Sequence, residues 1–124
     1  MTDSRGVILI IDDEPDMCWV LEHLLNSQGL TTRQALSARE TLEQVSRERF
    51  AFVFLDAKLP DMDGLELARR IRQLAPDTPI IMVSGYFYRD DPSIQEAISQ
   101  GLILDFISKP FLQNDIFKVL RPRR

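Results

Sequence analysis

Five short apolar runs divide the chain, and four of them are continuous rather than alternating. They occupy residues 7–11, 30–36, 50–55, 79–83 and 102–107. Strands that are apolar on both faces belong to parallel sheets that are covered by helices on both sides. The second run is weakly apolar and short, which is typical of an edge strand. The pattern therefore predicts five strands in one mainly buried parallel sheet.

Amphipathic helical patterns fill the gaps between these runs. The first gap carries apolar residues at positions i, i+3, i+4, i+7 and i+8, which form one stripe of a helix: Met17, Val20, Leu21, Leu24 and Leu25. Ser37 and Glu40 have the spacing of a capping box at the start of a second helix. A third helix, which begins near Gly64 and stops before Pro76, is predicted to carry the apolar residues Leu67, Ala68, Ile71 and Leu74. Two more helices are expected near residues 92–100 and after Pro110.

The alternation of strand and helix predicts five successive βα units. Parallel strands need right-handed helical crossovers, so the expected fold is α/β, a doubly wound five-stranded parallel sheet. We take the flavodoxin-like strand order 2-1-3-4-5, in which ligands bind at the carboxyl ends of strands one and three. No repeat or linker interrupts the sequence. We therefore assign residues 1–124 to one domain.

Composition and charge exclude several classes of function. The longest apolar run, residues 50–55, is far shorter than the roughly 20 residues of a membrane helix. Cys18 is the only cysteine, so an internal disulfide cannot form and a reducing compartment is favoured. A net charge of −4 argues against direct binding of nucleic acid, and the basic cluster of Arg121, Arg123 and Arg124 is interpreted as a solvated end. We expect a cytoplasmic protein without membrane attachment.

Polar side chains follow four of the five predicted strands. Asp12 and Asp13 follow the first strand, Asp56 the third, Ser84 ends the fourth, and Lys109 follows the fifth. The carboxyl ends of parallel strands meet at one edge of a sheet, so these groups are expected to face each other. Crowded carboxylates recruit a cation or raise a carboxylate pKa, and hard oxygen ligands suit Mg²⁺. A carboxylate beside such an ion can attack phosphorus and form an aspartyl phosphate.

Each of these residues taken alone has a plainer explanation. An Asp after a strand is most often a turn residue or a helix cap, and the same holds for Ser84. A single lysine such as Lys109 is most often solvated at the surface. The combination favours the phosphoryl site, because five suitable groups at the same end of four strands are improbable by coincidence.

The chain resembles the receiver domain of bacterial two-component response regulators. The resemblance lies in ILIIDDEPDM at 8–17, DAKLPDMDGLEL at 56–67, PIIMVSGY at 79–86 and DFISKPF at 105–111. The chemotaxis member of that family has the strand order 2-1-3-4-5, so the same order is implied here. The resemblance also implies a switch that is phosphorylated by a histidine kinase or a histidine phosphotransfer protein. Such a switch controls an output domain or partner, can dimerise on phosphorylation, and is not an enzyme acting on separate substrates.

The resemblance assigns the phosphoacceptor and the metal ligands. Asp56 is the implied phosphoacceptor and also a ligand of the cofactor Mg²⁺. Asp13 is implied to bind the metal directly, and Asp12 through water. The backbone carbonyl of Lys58 is the remaining implied protein ligand.

The resemblance also assigns the switch. Ser84 is implied to donate a hydrogen bond to the bound phosphoryl group, and Lys109 to pair with it. Phe106 stands at the switch-aromatic position, and its movement is implied to reshape the surface of the fourth helix, fifth strand and fifth helix. The peptide bond between Lys109 and Pro110 is expected to be cis.

The first predicted helix carries a finer likeness. Residues 18–22, CWVLE, resemble the nitrogen-regulator branch of the family. Trp19 lies off the apolar stripe and, with His23 one turn later, is predicted to face outward. An exposed Trp is often a partner contact, so we expect this face to help dock the kinase or phosphotransfer protein. A Trp half-buried by its neighbours is an equally good interpretation.

The chain departs from the family pattern between Ser84 and Lys109. Extra residues fall in 86–92, and a longer loop there changes the partner face rather than the chemistry. Lys58 and Tyr86 lie two residues after Asp56 and Ser84, so both side chains are expected to border the path of attacking water. We therefore expect them to set how long the phosphoryl group survives.

Three alternatives compete with this interpretation. DMDG at 61–64 looks like the catalytic loop of haloacid-dehalogenase-type phosphatases, although here it follows a predicted turn rather than a strand. A flavin-binding module on the same fold needs a phosphate loop after strand one, where Asp12 and Asp13 would repel a phosphate. A degenerate receiver would bind partners without being phosphorylated.

Overall fold

The computed structural model describes residues 6–120, which alternate between strand and helix throughout. The strands are β1 (Val7–Ile11), β2 (Thr31–Ala35), β3 (Phe52–Asp56), β4 (Ile80–Ser84) and β5 (Asp105–Ser108). The helices are α1 (Pro15–Asn26), α2 (Ala38–Arg47), α3 (Gly64–Leu74), α4 (Pro92–Ser99) and α5 (Gln113–Val119). The predicted βα repeat is confirmed. The basic cluster of Arg121, Arg123 and Arg124 lies outside the described residues. Within residues 6–120, no helix is long and apolar enough to cross a bilayer.

The five strands form one parallel sheet in the order β2-β1-β3-β4-β5, which confirms the predicted topology. In the β1–β3 pair, Ile11 lies opposite Leu55, so the residues after both strands leave the sheet at the same edge. Asp56 lies opposite Val83, and Ser84 lies opposite Ser108. The register therefore brings the ends of β1, β3, β4 and β5 to one carboxyl edge.

Apolar side chains fill both faces of the sheet, which explains why the strand sequences are continuous apolar runs. Leu9 and Ile11 of β1 belong to a core that includes residues of α2, α3 and α4. Ile8 and Ile10 point to the opposite face and pack with residues of α1 and α5. Each fully buried side chain of this size contributes about 1.5–3 kcal/mol to folding. Two hydrophobic cores thus hold the carboxyl edge in place from both sides.

Two positions on the predicted helix stripes are wrong. In α1 the buried residues are Cys18, Leu21 and Leu25, whereas Val20 is 37% exposed. The buried stripe runs i, i+3, i+7 from Cys18, and this thiol is fully buried. In α3, Leu74 is 53% exposed because it occupies the last turn, where the chain leaves the sheet.

The amino end of α2 is capped twice. The Ser37 hydroxyl accepts from the backbone N–H of Glu40 at 3.2 Å, as the capping box predicts. The Glu40 carboxylate accepts from Leu36 N–H rather than from Ser37, so the reciprocal half of the predicted box is displaced by one residue. Asp61, from the loop between β3 and α3, accepts from the N–H groups of Ala38 at 2.9 Å and Arg39 at 3.0 Å. Both oxygens of the Asp61 carboxylate are therefore used to cap α2.

Candidate functional site: an acidic pocket at the carboxyl edge of the sheet

Three carboxylates meet where β1 and β3 end. Asp12, Asp13 and Asp56 each offer an oxygen within 4.8 Å of the other two. Asp12 is only 2% exposed, and its Oδ1 accepts from the backbone N–H of Glu14 at 3.0 Å. Its own N–H donates to the carbonyl of Ala35 on β2 at 3.1 Å. Asp12 is thus fixed by backbone bonds on both sides, while Asp13 remains exposed beside it.

Lys109 supplies the positive charge of this pocket. Its Nζ donates to Asp12 Oδ2 at 2.8 Å and lies 3.8 Å from Asp56 Oδ1. Burial alone would lower the pKa of the ammonium group, but the hydrogen bond and charge of Asp12 and the charge of Asp56 raise that pKa above its ordinary value. Lys109 therefore stays protonated at neutral pH, and its ammonium group lies close to the carboxylates of both Asp12 and Asp56.

Asp56 has an unusual proton affinity in the absence of a metal. Burial is the main cause, and together with the charge of Asp12 it raises the pKa of Asp56 from 3.8 to about 6. The charge of Lys109 and the backbone N–H of Lys58, which donates to the carboxylate, oppose this rise. The site therefore holds excess negative charge that a cation would offset.

This pKa predicts how stability varies with pH. Because the native pKa of Asp56 lies above the unfolded value, its favourable contribution is present below about pH 4 and lost as the pH rises through 6. In metal-free protein, Asp56→Asn is expected to raise the free energy of unfolding by about 2 kcal/mol near pH 8. The gain is expected to shrink toward pH 4. Denaturant unfolding at several pH values measures it.

A matched variant and a titration control this prediction. Asp13→Asn removes an exposed carboxylate of the same cluster and is expected to stabilise the metal-free protein much less. Added Mg²⁺ is expected to stabilise the wild type most near pH 8 and Asp56→Asn hardly at all. An Asp56→Asn variant less stable than the wild type at every pH would contradict this account of the pocket.

The donor set fits a hard divalent cation. Carboxylate oxygens at few points, with one exposed member, suit Mg²⁺, which keeps part of its water shell. Within residues 6–120 this cluster contains neither His nor Cys, the ligands that a zinc site prefers. Asp12, Asp13 and Asp56 are the side chains that would hold the ion. The assignment of the Lys58 carbonyl as a further ligand stays a prediction.

Gly64 allows the chain to pass directly behind Asp56. A Cβ atom at Gly64 would lie 2.6 Å from the Asp56 carbonyl oxygen and 2.7 Å from Ala57 Cα, closer than real Cβ contacts. The Gly64 N–H donates to the Ala57 carbonyl at 2.7 Å, and Asp63 caps α3. The sequence indicated Gly64 only as a helix start. Its close packing against the backbone of Asp56 is seen only in the tertiary structure.

Residues of β4 and β5, and Lys109 just after β5, are linked near the same edge. Ser84 is fully buried, and its Oγ accepts from the backbone N–H of Tyr86 at 2.9 Å. Phe106 on β5 is 1% exposed and packs in the core on the α3 and α4 side. The Lys109 N–H donates to the Ser84 carbonyl at 3.0 Å, and the Lys109–Pro110 peptide bond is cis. The backbone of β4 therefore helps to place the lysine that reaches Asp56.

Two side chains join the loops that follow β3 and β4. The side chain of Lys58 lies with its Nζ 4.5 Å from the centroid of the Tyr86 ring, a cation–π contact. Tyr86 is 62% exposed and packs edge-on against Phe87. The loops after β3 and β4 are thus joined at the surface through these two side chains.

Trp19 is exposed rather than half-buried. Its side chain is 62% exposed and stacks on His23, with ring centroids 5.2 Å apart and an interplanar angle of 11°. The two parallel rings form a stacked pair, the Trp19–His23 surface, on the outer face of α1. The predicted outward orientation is confirmed, whereas contact with a partner stays a prediction.

Comparison with known proteins places this pocket in a family. Residues 8–121 match the family model described as response regulator receiver domain. The response regulator protein TodT of Pseudomonas putida is 34% identical over 121 residues, which are 98% of this chain and 52% of TodT. NtrC, a DNA-binding transcriptional regulator of Escherichia coli K12, is 33% identical over 87% of this chain and 22% of NtrC. The chain thus spans about half the length of TodT and less than a quarter of NtrC.

Solved structures show the same fold. A CheY-like receiver domain protein from Methanospirillum hungatei superimposes with a TM-score of 0.84 at 29% identity, covering 93% of this chain and 90% of that one. A response regulator from Burkholderia pseudomallei gives 0.82 at 26% identity, covering 94% of this chain and 66% of that one. The Burkholderia structure contains a phosphorylated aspartic acid, a calcium ion and citrate.

Proposed function

The chain belongs to the response regulator receiver family, and from that premise we propose that it is a switch phosphorylated on Asp56. Receiver domains are signalling domains rather than enzymes with separate substrates, and they bind Mg²⁺ at an acidic pocket. One observation carries the proposal: Asp12, Asp13 and Asp56 lie within 4.8 Å of one another, with Lys109 reaching Asp12 and Asp56. The phosphorylated aspartic acid in the Burkholderia relative supports the same chemistry.

The proposed transfer uses Asp56 as the nucleophile. A carboxylate oxygen of Asp56 forms a bond to phosphorus while the bond between phosphorus and the donor's imidazole nitrogen breaks. The other nitrogen of the donor ring is protonated, so the ring leaves as neutral imidazole. Asp56 must be ionised to attack, and bound Mg²⁺ supplies the positive charge that favours this form and neutralises the transferring oxygens. Lys109, held by Asp12, pairs with a phosphoryl oxygen. The result is an aspartyl phosphate at the carboxyl edge of β3.

The proposed output is a change in the position of Ser84 and Phe106. The phosphoryl group gives the Ser84 hydroxyl a new acceptor, and Phe106, which is already buried in the core, shifts within that core into the space that Ser84 vacates. The surface of α4, β5 and α5 then changes shape. A phosphoryl group shifts this equilibrium only by its differential affinity for the two arrangements.

Intact mass after treatment with Mg²⁺ and a small acyl phosphate tests the proposal. The wild type is expected to gain one phosphoryl group, and neither Asp56→Asn nor wild type with EDTA is expected to gain any. Asp61→Asn is the matched control, because this carboxylate caps α2 and is expected to accept no phosphoryl group. It should be labelled like the wild type. Labelling that depends on Asp61 would favour the phosphatase alternative, and no labelling at any time would favour a degenerate receiver.

We expect Lys58 and Tyr86 to slow hydrolysis of the aspartyl phosphate. Their cation–π contact joins the loops after β3 and β4. In this proposal the joined side chains limit the access of water to Asp56. The double variant Lys58→Ala/Tyr86→Ala is expected to lose its phosphoryl group about fivefold faster, the effect of roughly 1 kcal/mol on a barrier. Loss of adduct mass with time after the phosphoryl donor is removed measures the rate. An unchanged lifetime would refute this role.

We expect the Trp19–His23 surface on α1 to dock the histidine kinase or phosphotransfer protein. An exposed aromatic surface of this kind is a suitable binding anchor. Trp19→Ala is expected to lower kcat/KM for transfer from the cognate donor about tenfold. Phosphorylation by a small acyl phosphate should be unaffected, because that donor has no docking surface. Tyr88→Ala, which removes an aromatic side chain that is 76% exposed outside α1, is the matched control.

Several wider properties are part of the same proposal. We place the domain in the cytoplasm, acting on an output domain or a separate partner, with dimerisation on phosphorylation as a further consequence. Binding of nucleic acid or membrane by this domain itself is not part of the proposal. Membership of the nitrogen-regulator branch also stays a proposal, since identity to NtrC and TodT is nearly equal.

A further inference from the structure

The loop between β4 and α4 is held at both ends. At its start, the backbone N–H of Tyr86 donates to Ser84 Oγ at 2.9 Å. Near its other end, Arg89 Nη2 donates to Asp105 Oδ1 at 2.6 Å and to the Phe106 carbonyl at 2.9 Å. One short loop therefore connects the hydroxyl of Ser84 to the backbone of Phe106. These are the two residues of the proposed switch.

The position of β5 explains why Arg89 binds there. β5 lies at the edge of the sheet and pairs with β4 alone. An edge strand leaves backbone groups without a strand partner, and the guanidinium group presents several donors in a fixed fork. The carbonyl of Arg89 in turn accepts from the side-chain amide of Gln95 on α4. Arg89 thus joins the loop, the edge strand and α4.

We propose that Arg89 is a positioning residue that stabilises the unphosphorylated arrangement of the switch. The inference rests on the proposed function. The Ser84 hydroxyl can accept from the Tyr86 N–H and still donate to a phosphoryl group, but the proposed movement of Ser84 takes its oxygen away from that N–H unless the loop moves as well. Arg89 lies three residues after Tyr86 and is fixed to β5, so its two hydrogen bonds oppose this movement.

The same anchor connects Ser84 to the surface of the domain. Phe87 packs against the core that contains Phe106, so the middle of the loop is also held against that core. Arg89 holds that segment from the outside. Movement of Ser84 and movement at the β5 surface are therefore linked through one polar side chain.

Binding of a phosphoryl analogue tests the inference. Arg89→Met removes both hydrogen bonds and keeps much of the apolar part of the side chain. We expect it to bind beryllium trifluoride with Mg²⁺ about fivefold more tightly than the wild type. In the wild type, binding must break the two Arg89 hydrogen bonds, whereas the variant does not have them. Arg70→Met is the control: it removes an arginine that pairs with Glu66 on α3, and should bind like the wild type. Titration followed by NMR of the Tyr86 and Phe106 amides measures both affinities.

The outcomes separate this inference from the proposed function. Equal or weaker binding by Arg89→Met would overturn the inference, and a variant that is merely less stable would not bind more tightly. If the wild type itself fails to bind the analogue, the proposed function fails, and hydrogen exchange then decides the role of Arg89. The Tyr86 amide of metal-free Arg89→Met is expected to exchange about fivefold faster than in Arg70→Met. Equal exchange would show that Arg89 does not anchor the loop.

Discussion

Replacing Lys109 with Met is expected to lower the rate of Asp56 phosphorylation by about 100-fold, the usual effect of removing one preorganised charged donor. The ammonium group lies 2.8 Å from Asp12 and 3.8 Å from Asp56, and only 15% of the side chain is exposed. Its removal leaves the buried Asp12 carboxylate without its ion-pair partner. The metal-free variant is therefore expected to lose about 3 kcal/mol of stability, the scale for breaking a buried ion pair.

The two effects can be measured separately. Adduct formation with a small acyl phosphate at saturating Mg²⁺ gives the rate, and denaturant unfolding without metal gives the stability. Lys118→Met is the matched control, since it removes an exposed lysine from the last turn of α5. It is expected to change neither quantity much. A rate for Lys109→Met within threefold of the wild type would show that the ammonium group does not assist transfer.

Gly64→Ala is expected to destabilise the domain by about 3 kcal/mol, because an added methyl group overlaps the backbone of Asp56 and Ala57. The overlap is with a carbonyl oxygen and a Cα atom, which cannot rotate away as a flexible side chain can. The Asp56 carboxylate must therefore shift. We expect the phosphorylation rate to fall at least about tenfold even under conditions where the variant is folded.

Gly101→Ala distinguishes this contact from a general sensitivity to glycine replacement. Gly101 has a positive φ of 75°, but nothing lies within 4 Å of a Cβ atom built there. That variant is expected to lose only about 1 kcal/mol from backbone strain and to be phosphorylated normally. Thermal unfolding and adduct formation on both variants make the comparison. A Gly64→Ala protein as stable as Gly101→Ala would contradict the close packing behind Asp56.

The fold was predictable because both sides of the sheet are covered. Continuous apolar runs such as that of β3 follow directly from two hydrophobic cores. The sequence did not determine which face of α1 is buried. Cys18 and Val20 differ little in apolar character, and only packing decides which of them is buried. Leu74 belongs to the apolar pattern of the predicted third helix, but helix periodicity cannot show that the last turn extends past the sheet.

Contacts between residues distant in sequence were not predictable. Asp61 caps α2 from a loop 23 residues away, and no local pattern marks it for that role. The reach of Arg89 to β5 likewise depends on how the loop after β4 folds. The acidic pocket was different, because topology alone brings the carboxyl ends of β1 and β3 together. Placement of the carboxylates therefore followed from sequence, whereas the groups that hold the loops and helices around them did not.

Locating the phosphoryl group tests the central claim most directly. The protein is treated with Mg²⁺ and a small acyl phosphate, reduced with borohydride, digested, and mapped by mass spectrometry. Borohydride converts an aspartyl phosphate to homoserine, so the peptide containing residue 56 is expected to carry homoserine in place of Asp56, with every other Asp unchanged. Homoserine at Asp12, Asp13 or Asp61, or its absence from protein shown by intact mass to be phosphorylated, would contradict the assignment of Asp56 as phosphoacceptor.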